Sequence, residues 1–118
     1  MIPGIDIIEI KRFRKANERR PKIRERLFTV REIQDLETKG IASWAVRFAA
    51  KEAVLKSLGT GLAGLSWHDI EIISEVSGEP KVYLSERAQH LVEARGGSQV
   101  RVSLAHEKEY AVAIAILS

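Results

Sequence analysis

The chain has 118 residues, 45% of them apolar and 30% charged, with a formal charge of +3 and no cysteine. These values are those of one globular domain, residues 1–118, large enough to form a core without disulfide or metal staples. They exclude thiol chemistry, thiolate metal sites and a membrane span, so a cytoplasmic protein is expected, with any metal held by Asp, Glu or His.

The β-branched run Ile2–Ile10 predicts an opening strand, with Pro3 near its start, where a missing N–H is tolerated. No basic stretch followed by an apolar run precedes it, so no secretory signal is expected. Asp6 interrupts the run. An unpaired buried carboxylate is costly, so Asp6 is either satisfied by backbone donors or a cation, or is a metal ligand.

The next segment is strongly basic. Residues 10–26 hold nine Lys or Arg (Lys11, Arg12, Arg14, Lys15, Arg19, Arg20, Lys22, Arg24, Arg26) against Glu18 and Glu25, net +7, which leaves −4 for the rest. Ile10 and Phe13 are apolar anchors, and Pro21 is expected to divide the segment into two short helices. Such a patch is a solvated surface, an RNA-binding face or a dock for an acidic protein. Phe13 and Phe28 are the only aromatics nearby, which disfavours a stacking platform for single strands.

Thr29 and Glu32 form a capping box, opening a helix with Ile33 and Leu36 on one face and Gly40 as its stop. A longer helix is predicted from Trp44 to Leu58, closed by Gly59. It carries Arg47, Lys51, Glu52 and Lys56. Glu52 and Lys56 are spaced i, i+4, as in a surface ion pair. Lys51 lies about 100° round the helix from Glu52, and Arg47 one turn before Lys51. Two acids from different elements beside several cations also suit Mg²⁺ and a pyrophosphate together. Gly59-Thr-Gly61 follows a helix rather than preceding one, so it is no P-loop; it is a helix stop and a hinge for a loop to Gly64.

From Trp67 the period changes to two. Ile70 and Ile72 predict one strand, Val82 and Leu84 another, and Ser77–Pro80 the turn between them. Ser85 caps a helix with Ala88, Leu91 and Val92 inward, ended by Gly96 and Gly97. Val100, Val102 and Leu104 form the next strand. His106 sits at a tight turn, where it is a solvated side chain, a phosphate contact or an acid–base group. Tyr110–Ile116 is apolar on both faces, as in a central strand. The fold class is therefore α+β, with helices packed on a mostly antiparallel β-sheet.

Several segments together resemble a known family. They are Gly4-Ile-Asp6-Ile-Ile-Glu9, Phe28-Thr29 with Glu32, Arg47-Phe-Ala-Ala-Lys51-Glu52-Ala with Lys56, Gly59 and Gly61, Trp67 through Ile72, and Ser103-Leu-Ala-His106 with Tyr110. Their order and spacing are similar to those of the small, single-domain bacterial holo-(acyl-carrier-protein) synthases, which are 4′-phosphopantetheinyl transferases.

That resemblance implies the 4′-phosphopantetheinyl transferase fold and transfer of the phosphopantetheine arm of coenzyme A to a serine of apo acyl carrier protein. It implies Mg²⁺, with Asp6 and Glu52 as its ligands and Glu52 and Lys56 as catalytic groups. Arg47, Lys51, Lys56, Gly59, Gly61 and His106 would contact coenzyme A. The base that takes the serine proton stays open among a metal-bound water, Glu52 and Lys56. Acyl carrier proteins are acidic, so Arg12, Arg14, Arg19, Lys22, Arg24 and Arg26 would dock one. The resemblance further implies a homotrimer with active sites between subunits, and no nucleic-acid or membrane partner. The competing reading is a small basic module that binds RNA or an acidic protein. Ala105 and Glu107 depart from the family pattern beside His106, and Glu107 adds a negative charge there.

Overall fold

The computed structural model describes residues 1–118. Its elements are β1 (Ile2–Glu9), α1 (Ile10–Arg19), α2 (Ile23–Leu27), α3 (Val30–Leu36), α4 (Ile41–Leu58), β2 (Ile70–Ser74), β3 (Pro80–Leu84), α5 (Glu86–Ala94), β4 (Val100–His106) and β5 (Tyr110–Leu117). A 3-10 turn, Trp67–Asp69, leads into β2. The expected α+β order is present. The strands form two antiparallel sheets rather than one, β1-β5-β4 and β2-β3. No ladder joins β3 to β4, and the two strands face each other across an open cleft of about 650 Å³.

Sequence signals account for most boundaries. Pro21 separates α1 from α2, since it has no N–H to continue a helix. Thr29 and Glu32 make both hydrogen bonds of a capping box at the start of α3. Ser85 caps α5. Gly40 has a different part from the one expected: α3 ends at Leu36, and Gly40 is the N-cap of α4, its carbonyl accepting from Ser43. The helix therefore starts at Ile41, one turn ahead of the expected Trp44.

Helix α4 is buried on most of its circumference, as expected of a helix with apolar residues all round. Its Ala49, Ala50 and Ala53 join one core cluster with Ala113 and Ala115 of the central strand β5. Small residues on both surfaces let helix and sheet approach closely. The approach is tightest at Gly4 of β1, where a Cβ would overlap the carbonyl oxygen of Ala53. Only glycine fits there, and two residues on, the same strand face presents Asp6 to the helix.

The other face of the three-stranded sheet is uncovered. Register places Ile5, Ile7, Val112, Ile114 and Ile116 side by side on it, and Ile5 and Ile7 are 60% and 64% exposed. Apolar side chains in that number are unusual on a free surface.

Candidate active site

Asp6, Glu52 and Lys56 meet where β1 crosses the C-terminal half of α4. The 3.6-residue repeat stacks Glu52 and Lys56 on one helix face, and strand alternation turns Asp6 toward them. Lys56 Nζ donates to Asp6 Oδ1 at 2.9 Å and to the Ile5 carbonyl at 2.8 Å. The Asp6 side chain is 11% exposed, while that of Lys56 is 53% exposed. Asp6 Oδ2 is buried and has no hydrogen-bond partner.

The Glu52 carboxyl is held above the usual carboxylate range. Burial is the main cause, the charge of neighbouring Asp6 adds to it, and Lys56 opposes it. The site is thus a crowded carboxylate pair with one ammonium and an oxygen still free to bind. No cluster of three His, Asp or Glu side chains is present. Two carboxylates suffice for Mg²⁺, which keeps waters and takes substrate phosphate oxygens. The free oxygen of Asp6 and the strained pair fit such an ion.

Beside these groups lies an open cleft of about 540 Å³, lined by Glu52, Lys56, Gly59, Gly61, Leu62 and Trp67 among others. Gly59 closes α4 with φ +80, a left-handed geometry that favours glycine. Trp67 had no assigned part in the sequence reading. It packs on Phe48 with ring centroids 5.0 Å apart, and the His68 ring bonds the Glu25 carbonyl at 2.8 Å, tying this turn to α2. Trp67 also lines a second cleft with Arg20, Lys22, Ile23, Arg26 and Leu27. One indole therefore separates the carboxylate cleft from the basic segment. A tryptophan just before a period-two strand was the only signal for it.

Two expected coenzyme A contacts, Lys51 and Arg47, do not line this cleft within one chain. Lys51 is fully buried, and its Nζ lies 2.5 Å from Glu32 Oε1. The Glu32 carboxylate also accepts the backbone N–H groups of Thr29 and Ile72. Burial lowers the Lys51 pKa, and Glu32 opposes that shift. Arg47 is 4% exposed; it donates to the Ile72 carbonyl and Ser74 Oγ and pairs with Asp35 at 3.0 Å. Both side chains project to the β2 side of α4, roughly 100° to 140° round from Glu52. They bind β2 to the helix instead of lining the cleft.

His106 is exposed at the end of β4. In the sheet it is separated from β1 by β5, with His106 opposite Ala111 and Asp6 opposite Ala113. One chain therefore does not bring it to Asp6. The carboxylate of neighbouring Glu107 accepts from the N–H groups of Glu109 and Tyr110, which pins its charge in the turn and lowers its pKa.

Of the basic residues, Arg12, Arg14, Arg19, Lys22 and Arg26 are exposed and form no ion pair or side-chain hydrogen bond. Arg24 differs: its guanidinium lies over the Trp44 ring at 3.9 Å and its Nε donates to Asn17 Oδ1. It belongs to the packing of α2 more than to a free docking surface.

Comparison with known proteins gives a consistent picture. The family profile described as the 4′-phosphopantetheinyl transferase superfamily matches residues 3–115. A holo-(acyl-carrier-protein) synthase of Moorella thermoacetica is 46% identical over 116 residues, covering 97% of this chain and 91% of the relative. The crystal structure of the Neisseria meningitidis synthase superposes with a TM-score of 0.89 at 29% identity, covering 100% of this chain and 99% of that one. The Helicobacter pylori synthase, solved in complex with coenzyme A, gives 0.87 at 31% identity, covering 99% and 100%.

Proposed function

The chain belongs to the 4′-phosphopantetheinyl transferase superfamily, and from that premise we propose that it is a holo-(acyl-carrier-protein) synthase. It transfers the 4′-phosphopantetheine arm of coenzyme A to a serine of apo acyl carrier protein and releases adenosine 3′,5′-bisphosphate. The observation that carries the site assignment is the Asp6–Glu52–Lys56 group at the mouth of the cleft.

In this reaction the serine oxygen bonds to the phosphorus carrying the arm while the pyrophosphate link to the bisphosphate breaks. Charge grows on the departing oxygen, so positioning and neutralisation carry most of the catalysis. Lys56, half exposed and on a flexible stem, supplies an ammonium beside the pyrophosphate. The serine proton passes to Glu52, to Lys56 or to a water held at the two carboxylates. Asp6 and Glu52 would hold Mg²⁺ through their carboxylates, and bound Mg²⁺ neutralises the pyrophosphate and favours departure of the bisphosphate. Gly59, Gly61 and Leu62 form the wall along which the arm lies.

The proposal extends to assembly. The apolar outer sheet face would be covered by two further copies, giving a homotrimer of single domains in the cytoplasm. His106, and with it the β4 end of the sheet, would then serve a neighbouring subunit's cleft, which accounts for its distance from Asp6 in one chain. Sedimentation equilibrium should give a trimer, and Ile5→Asp should shift it to monomer.

The exposed cations of α1 and α2 would dock the acidic carrier protein. Arg12→Glu and Arg26→Glu are each expected to raise the KM for carrier protein several-fold, the effect shrinking as salt is added. A KM that is unchanged at low and high ionic strength would remove these residues from the dock. The reaction itself is tested by chromatography of the released adenosine 3′,5′-bisphosphate. Release should require coenzyme A, apo carrier protein and Mg²⁺ together, and EDTA should stop it.

A further inference from the structure

We propose that Arg95 is a positioning residue for the cleft: from the end of α5 it locks the last turn of α4 and the glycine at which the Gly59–Gly64 loop begins. Arg95 lies outside every motif described above, on a helix that contributes nothing to the cleft lining. Its Nη1 donates to the Ser57 carbonyl at 3.0 Å. Ser57 directly follows Lys56, and its carbonyl is among the last four of the helix, which have no partner within it. The Gly59 N–H serves the Leu55 and Lys56 carbonyls. Arg95 thus completes the cap and places a cation at the negative end of the helix.

The second observation is steric. A Cβ built on Gly59 would overlap the Arg95 guanidinium, and Gly59 has φ +80. The guanidinium thus fills the space a Cβ would take, and a side chain at this position would have to displace it. Downstream, the hydrogen bonds of residues 60–64 all close within residues 60–65, so the loop is anchored only through the last turn of α4, whose Ser57 carbonyl Arg95 holds. Gly59, Gly61 and Leu62 line the cleft, and loosening that attachment loosens one wall of it.

The functional part of this assignment rests on the transfer reading; the structural part does not. Two variants test it in the full chain. R95M keeps the aliphatic stem and removes the donors, while R95K restores a cation able to reach a helix-end carbonyl. R95M should raise the KM for coenzyme A by roughly three- to tenfold, a fraction of what one charged hydrogen bond is worth, because Arg95 acts on the cleft only through the helix end. It should leave the KM for carrier protein unchanged, and R95K should recover most of the loss. In the protein without substrates, amide exchange at residues 59–65 should rise in R95M alone. Unchanged exchange in R95M overturns the proposal, as does an unchanged KM for coenzyme A in an active enzyme. Faster exchange in a chain whose wild type shows no transfer would uphold the clamp and sink the reaction instead.

Discussion

Replacing Glu52 with glutamine is expected to lower the rate of transfer at least about a hundredfold, since a metal ligand supplies several kcal/mol of transition-state stabilisation. The same substitution is expected to leave the melting temperature unchanged or raise it. The sign follows from the raised pKa of Glu52. An acid whose folded pKa lies above its unfolded value is disfavoured as the carboxylate in the fold, so above that pKa its ionisation opposes stability. Glutamine keeps the shape and removes the charge that faces Asp6. A residue that costs stability yet is needed for turnover marks a functional site. Asp6→Asn should also abolish transfer, but it discards the charge that pairs with Lys56, so any thermal gain is smaller. Enzyme assays paired with calorimetry check both. A Glu52→Gln enzyme with wild-type turnover would remove the metal assignment.

Lys51→Ala is expected to cost about 3–5 kcal/mol of folding stability, enough to unfold many domains of this size. The reason is Glu32, which is fully buried and would lose its only cation. The Glu32 carboxylate would still hold the Thr29 and Ile72 N–H groups, too few partners for a desolvated charge. The double variant Glu32→Gln with Lys51→Met should recover most of the loss, because replacing both members of a buried pair leaves no orphaned charge. Denaturant unfolding of the single and double variants measures this. Where Lys51→Ala still folds, coenzyme A affinity should be close to wild type. A stable Lys51→Ala protein with weakened coenzyme A binding would return Lys51 to the substrate site.

The contrast between Glu52 and its neighbour Lys51 shows what a sequence can and cannot convey. Period-two runs, Pro21, the Thr29–Glu32 box and the Ser85 cap each act within a few residues, and the elements they predict are present. The i, i+4 spacing also put Glu52 and Lys56 on one face, and the strand bearing Asp6 does arrive there. The charges of Lys51 and Arg47 are visible in the sequence, but Glu32 and Asp35, the partners that hold them on the β2 side of α4, are not. Glu32 was recognised as a helix cap, but its second role as counter-ion to Lys51 depends on α3 packing against α4. The stacking of Arg24 on Trp44 is hidden for the same reason, since it is a tertiary contact. The division into two sheets, the double-sided position of Trp67 and the Arg95–Gly59 contact have no local signature. Each arises from contacts between elements distant in the sequence.

The most direct measurement is the intact mass of an apo acyl carrier protein incubated with this chain, coenzyme A and Mg²⁺, run beside the same mixture containing the Glu52→Gln variant. The account predicts a gain equal to the phosphopantetheinyl arm with the wild-type chain, and almost none with the variant in the same time. No gain with the wild type, or equal gains with both, would contradict it.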